Sequence, residues 1–300
     1  MTVLLHGKEV ATTFRQELAH QVQARIDQGI PAPHLAIILI GQDPASHTYV
    51  HHKIKACHEV GFEVTLIQEA DIEEARLLEL VAQINSHESI DGLIVQLPLP
   101  SHIHTQRVIQ AIKPEKDVDG LHSLNYGRMA CNLPAHIPAT PLGILMLLAR
   151  YQISTQGKHC VIVGRGATVG APLSILMSRN ANPGNATVTL CHSHTQNLSS
   201  LTRQADILVL AVGKPQLITA SMVQKGAVVI DVGITRVPDI TKKSGYRLQG
   251  DVDFTDVAPQ CSYITPVPGG VGPMTIVALL SNTLRAAQKQ VYSSLLIGCH

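Results

Sequence analysis

The sequence predicts an α/β protein whose second half is a Rossmann-like, doubly wound parallel sheet. Three observations lead there. Short aliphatic runs alternate with stretches of helical periodicity along most of the 300 residues. The runs are continuously apolar, as strands buried on both faces require. One of them, in "VIVGRGATVGAP" (161–172), passes through closely spaced glycines into a helix start.

Each element follows in order. Residues 8–28 carry Val10, Ala11, Phe14, Leu18, Val22 and Ile26 at helical spacing, so they read as an amphipathic helix. "HLAIILIG" (34–41) is a buried strand. The helix over 43–62 sets Ser46, Val50, Ile54 and Cys57 on its inner face, with Gly61 as its C-cap. A strand at 63–68, a helix at 73–86 and the strand of "DGLIVQLPLP" (91–100) complete the first half. "AHIPATPLG" (135–143), with two prolines, reads as a hinge, followed by a helix over 142–151. Four aliphatic strands then lie at 158–164, 186–193, 206–213 and 227–233, with helices at 169–180, 196–204 and 220–224. An apolar helix over 274–289 closes the pattern.

Composition excludes several classes. Charged residues are 15% and the formal net charge is +1, without a long basic run, which argues against nucleic acid as a partner. No apolar run reaches the roughly 18 residues of a membrane span, and the N-terminus has no signal-peptide pattern. The core must be aliphatic, because aromatics are 3% and tryptophan is absent. The cysteines Cys57, Cys131, Cys160, Cys191, Cys261 and Cys299 form no CxxC pair and read as reduced cytosolic thiols. The 16 histidines show no HExxH spacing, so no metal site is expected.

The glycine-rich turn assigns chemistry to the second half. Gly164 permits a tight turn, Gly166 admits a phosphate to the backbone, and Gly170 suits close packing. The third glycine is one residue later than GxGxxG requires, so a purely structural turn is the competing reading. An NAD site carries an acid at the end of the next strand. Here that strand ends in Ser193 and His194, and Arg165 sits in the turn. A cation with hydroxyl and imidazole donors favours the 2′-phosphate of NADP, unless Arg165 is merely solvated.

In the first half, Tyr49 and Lys53 are four apart and leave one helix face, a usable acid–base pair or an ordinary surface pair. Asp119 in "KDVDG" is a ligand carboxylate or a turn aspartate. Gln96 is polar at a strand end, either satisfied in the core or facing a cleft. "PVPGGVGPMT" (266–275) is too rigid for a linker and bare enough for a flat ligand.

Together these segments resemble the bifunctional methylenetetrahydrofolate dehydrogenase/cyclohydrolase family. The likeness runs through "LLHGKEVA", "GQDPASHTYVHHKIKA", "DGLIVQLPLP", "KDVDGLHSLNYGRM", "PATPLGI", "VIVGRGATVGAP", "AVGKP", "VVIDVGI" and "ITPVPGGVGPMT". The resemblance implies NADP as cofactor and tetrahydrofolate derivatives as substrate. It implies catalysis by Lys53 with Tyr49, Gln96 and Asp119. Val95 and Leu97 beside Gln96, and Pro268, Gly269, Gly270, Val271 and Gly272, would also hold the folate. Gly164, Arg165, Gly166, Ser193, His194 and Ile234 would hold NADP. The chain departs from the family pattern at Gly166, where a serine is usual, at Ala139 and Leu142, and at His194, where lysine is common.

The expected architecture is two α/β domains flanking a cleft: 1–139 with 274–300 for folate and catalysis, and 140–273 for NADP. A cytoplasmic homodimer is expected. A shikimate-type NADP dehydrogenase and a non-catalytic NADP-binding regulator remain as alternatives.

Overall fold

The computed structural model describes residues 2–242 and 245–292. The end of the predicted range 274–300, including Cys299, lies outside the described residues. The chain divides into two compact units. The first holds Thr12–Ala139 and the chain from Ile276 onward; the second holds the N-terminal stretch through Ala11 and Thr140–Thr275.

The first unit is built on three parallel strands. β2 (His34–Ile40) lies between β3 (Glu63–Glu69) and β4 (Gly92–Val95). Its unbroken aliphatic run is buried from Leu35 to Ile40, because both of its faces are covered. Ala36, Ile38 and Ile40 pack with Leu77, Val81 and Ile84 of α3 (Glu74–Ser86), which recur at helical spacing. Further helices are α1 (Gly7–Asp27, which starts within the second unit's N-terminal stretch), α4 (Thr105–Ala111) and α5 (Ser123–Ala130).

α2 (Pro44–Glu59) positions the candidate lysine. Asp43 caps it, accepting from Ser46 N at 2.8 Å and Ser46 Oγ at 2.8 Å, and Pro44 occupies the first turn, where its missing N–H costs nothing. Its buried residues are Ser46, Val50, Lys53, Ala56 and Cys57. This corrects the sequence expectation: Ile54 is only half-buried and Lys53 takes the inner place. Periodicity puts a lysine outward because a lone buried ammonium is costly. Here a partner just beyond the end of β4 accepts its hydrogen bond.

The second unit contains six parallel strands in the order β1 (Val3–Leu4), β11 (Tyr263–Ile264), β8 (Val228–Asp231), β7 (Ile207–Leu210), β5 (His159–Val163) and β6 (Thr187–Cys191). From β5 the chain moves outward to β6 and returns to β7 on the other side. This reversal is the switch point at which doubly wound sheets bind ligands. α7 (Gly170–Ser178) and α8 (Leu198–Thr202) follow β5 and β6. The hairpin of β9 (Thr235–Pro238) and β10 (Tyr246–Gln249), and α9 (Phe254–Val257), come between β8 and β11. The expected helix at 220–224 is a 3-10 turn, Ala220–Met222.

The segment expected as a hinge, 135–143, contains the boundary between the two units at Ala139 and Thr140, but it is not an irregular linker. α6 (Ala139–Arg150) already begins at Ala139 and includes Pro141 in its first turn. Likewise α10 (Val271–Ala287) begins three residues before the expected 274, with Pro273 in its first turn. The first N–H groups of a helix have no partner within it, so a proline there removes no bond.

Candidate active site

Lys53 is buried, 4% exposed, and its Nζ donates to Gln96 Oε1 at 3.0 Å. Gln96 is itself fixed just beyond the end of β4. Its Nε2 donates to Leu97 O at 2.6 Å and its backbone N to Ile38 O at 2.8 Å. With Nε2 so occupied, only the carbonyl end of the side chain faces the lysine. Val95 is buried and Leu97 half-buried on either side. The ammonium lies 4.8 Å from the centre of the Tyr49 ring, one helical turn back. Tyr49, Lys53, Gln96 and Asp119 are therefore gathered in the first unit.

Burial pushes the Lys53 amine below its usual 10.5, while the Asp119 carboxylate pulls upward, as would a Cys57 thiolate. Burial raises the Cys57 thiol to about 12. At neutral pH Cys57 is therefore uncharged, and its pull on Lys53 disappears. The result is a lysine that gives up a proton more readily than one in water.

Asp119 sits half-exposed in a turn held from several sides. The buried Asp117 carboxylate accepts from Leu121 N (3.2 Å), His122 N (2.8 Å) and Asn125 Nδ2 (2.9 Å). Asn282 of α10 donates through Nδ2 to Val118 O at 2.9 Å and Ile137 O at 2.8 Å. Ala139 N donates to Asp119 O at 3.3 Å. Sequence reasoning missed Cys57 as an electrostatic neighbour and Asp117 and Asn282 as supports. An asparagine inside a mostly apolar helix was the available signal for the last of these.

The second unit carries the glycine-rich turn after β5. Gly164 has φ +116°, and a Cβ there would run into the carbonyl of Ala211 at the end of β7. A Cβ on Gly170 would strike the Gly164 carbonyl, so α7 starts pressed against the turn. At Gly166 nothing lies within 4 Å of where a Cβ would stand. A bare, open backbone at a helix start fits a dinucleotide phosphate. Arg165 is exposed beside it, as are Ser193 and His194 in the loop after β6. That loop is shaped by His192 N donating to Thr195 Oγ1 at 2.8 Å and His194 N to His192 Nδ1 at 3.2 Å. It contains no acid, which leaves room for a 2′-phosphate.

Ile234, after β8, is 54% exposed, and its Cδ1 lies 3.6 Å from the Cβ position of Gly272. Pro268–Gly272 thus lies in the second unit and runs into α10. Among the described residues no three His, Cys, Asp or Glu side chains converge as metal ligands would, and no helix is long and apolar enough to cross a membrane.

Residues 5–119 match the family model of the tetrahydrofolate dehydrogenase/cyclohydrolase catalytic domain, and residues 138–291 match that of its NAD(P)-binding domain. A bifunctional protein FolD from Amoebophilus asiaticus (strain 5a2) is 68% identical over 295 residues, covering 98% of this chain and 99% of that protein. The bifunctional enzyme FolD, methylenetetrahydrofolate dehydrogenase/cyclohydrolase, from Campylobacter jejuni is 42% identical, with TM-score 0.90 over 97% of this chain and 100% of its own. A methylenetetrahydrofolate dehydrogenase-cyclohydrolase from Trypanosoma brucei, complexed with NADP cofactor and inhibitor, is 36% identical, with TM-score 0.91 over 97% and 99%.

Proposed function

The chain belongs to the tetrahydrofolate dehydrogenase/cyclohydrolase family, and from that premise we propose that Lys53, Tyr49, Gln96 and Asp119 carry its folate chemistry. It is a bifunctional, NADP-dependent enzyme: it oxidises 5,10-methylenetetrahydrofolate to the 5,10-methenyl form and hydrolyses that to 10-formyltetrahydrofolate. Family membership selects this activity over a shikimate-type dehydrogenase and over a non-catalytic NADP-binding regulator.

NADP supplies the hydride acceptor when bound. Gly164, Gly166 and the start of α7 would take its phosphates, Arg165, Ser193 and His194 its 2′-phosphate, and Ile234 its nicotinamide end. The Asp119 carboxylate would accept from the pterin, with Val95 and Leu97 as further folate contacts in the same unit.

In the hydrolytic step, water adds to the methenyl carbon and a C–O bond forms. Lys53 Nζ, as the free amine, takes a proton from that water. The bond between this carbon and N5 then breaks, leaving the formyl group on N10. Lys53 returns its proton to N5, and the second water proton goes to solvent. The buried Nζ bonded to Gln96 Oε1 at 3.0 Å is the observation that carries this role. Burial disfavours the ammonium, and a cationic substrate would disfavour it further.

Replacing Lys53 by Met tests it. Hydrolysis of methenyltetrahydrofolate should fall by roughly 10²–10⁴, the usual contribution of a positioned acid–base group. NADP binding should stay unchanged, and hydride transfer should suffer less. Hydrolysis at the parent rate overturns the assignment.

We also read the protein as a cytosolic homodimer. The end position of β6 in its sheet leaves one strand edge for a second copy, and the cysteines Cys57, Cys131, Cys160, Cys191 and Cys261 are free thiols.

A further inference from the structure

We propose that Asp251 is a positioning residue for the dinucleotide, acting through the loop after β7; this rests on the reading of the β5–α7 turn as the NADP site. The Asp251 side chain is fully buried and accepts from three consecutive backbone N–H groups. Oδ2 takes Val212 N at 2.8 Å and Gly213 N at 3.1 Å, and Oδ1 takes Lys214 N at 2.7 Å. These residues belong to the "AVGKP" segment, which neither the folate chemistry nor the glycine turn uses.

Asp251 is fixed in turn by Asp231, the last residue of β8. Asp231 Oδ1 accepts from Asp251 N at 3.0 Å and Gly233 N at 3.0 Å, and its Oδ2 from Val252 N at 2.9 Å. Thr265 Oγ1 accepts from Asp231 N at 2.7 Å. Glycines at 233 and 250 make the approach possible, since a Cβ on either would collide with the carboxylate of Asp251 or Asp231 respectively. The two carboxylates thus link the ends of β7 and β8, including the stretch that carries Ile234.

The consequence for a ligand follows from peptide geometry. A trans peptide directs its C=O away from its N–H. With the N–H groups of Val212, Gly213 and Lys214 turned inward to Asp251, the carbonyls of Ala211, Val212 and Gly213 turn the other way. The Ala211 carbonyl indeed lies where a Cβ on Gly164 would stand. At the switch point the β5 turn therefore offers N–H groups to phosphate. The β7 loop beside it offers carbonyl acceptors to the hydroxyl or amide donors of the same ligand. Held in place beforehand, these acceptors cost no loop ordering when the ligand arrives.

Asp251→Asn keeps the shape but turns an N–H₂ toward at least one of the three N–H donors. The parent is first titrated with NADPH, followed by its fluorescence. Absence of binding by the parent overturns the cofactor reading itself. With binding established, the variant should bind NADPH about tenfold or more weakly, the equivalent of one charge-assisted hydrogen bond. Exchange of the 212–214 amides in the cofactor-free enzyme should quicken. Hydrolysis of methenyltetrahydrofolate, which needs no NADP, should stay at the parent rate. Parent-like NADPH affinity overturns the proposal, and so does a parallel loss of both activities with the melting temperature, which marks a merely structural role. If Asp251→Asn does not fold, Gly233→Ala serves in its place, since it pushes the carboxylate aside while keeping its charge.

Discussion

At Lys53 burial and charged neighbours pull the amine in opposite directions. Its pKa in the folded chain lies below the usual 10.5 because burial outweighs the attraction of Asp119. Between those two values the unfolded chain binds the extra proton, so stability rises with pH across that window. Below it the buried ammonium carries its full cost. Lys53→Met should therefore melt at a higher temperature than the parent near neutral pH, with the difference shrinking as pH approaches 10.5; thermal melts over a pH series check this. Gln96 acts from the other side. Its neutral carbonyl accepts from the amine without holding the proton there. Gln96→Glu would put a carboxylate at that spot and raise the lysine's pKa. Hydrolysis should then fall at neutral pH and recover in alkali. A pH profile of kcat/KM that does not move would show that Gln96 has no such influence.

At the scale of elements, single polar side chains tie the ends of the structure to the loops that matter. α10 is apolar for most of its length, yet Asn282 is completely buried in it and bonds to the Val118 and Ile137 carbonyls around the Asp119 turn. Asn282→Leu would leave both carbonyls without a donor, at about 1–3 kcal/mol each where no water replaces it. Urea unfolding should show that loss. KM for methenyltetrahydrofolate should rise while NADPH affinity stays at the parent value. A KM that stays put would separate Asn282 from the Asp119 turn. The starts of α6 and α10 obey a different local rule. Both take proline into the first turn, where the helix has no bond to lose, and so begin earlier than a breaker-based reading of proline allows.

For the molecule as a whole, two buried groups pull acid stability in opposite directions. His136 is fully buried with Nε2 facing the Glu115 carbonyl at 3.0 Å, and burial lowers its pKa from 6.5 to about 4. The unfolded chain takes up that proton first. The histidine therefore contributes its full stability above pH 6.5 and loses roughly 3 kcal/mol as pH falls to about 4. Asp231 works the other way. Burial raises its carboxyl from 3.8 to about 6, so folding binds the proton and the chain gains stability as pH falls through that range. The two largely offset each other near pH 5. His136→Gln keeps a donor for Glu115 O but removes the titration, so the variant should lose less stability than the parent between pH 6.5 and 4. Identical acid limbs in parent and variant would exclude His136 as a source of acid sensitivity.

What the sequence determined by itself was the kind of element a window of ten or so residues forms and which residues share a face of it. Unbroken aliphatic runs meant strands covered on both faces, and the run from Leu35 to Ile40 is so covered. Glycine spacing after β5 meant a tight turn into a helix, and the four-residue interval from Tyr49 to Lys53 meant one shared face. The tertiary structure alone decided that Lys53 is inside. Its acceptor lies 43 residues away, just beyond the end of β4, and no periodicity along α2 contains that information. The same holds for Asn282, 164 residues from Val118, and for Asp251, 39 from Val212. Propensity and pattern are local quantities. Whether a polar group can be buried depends on a partner that only the folded chain brings within hydrogen-bonding distance.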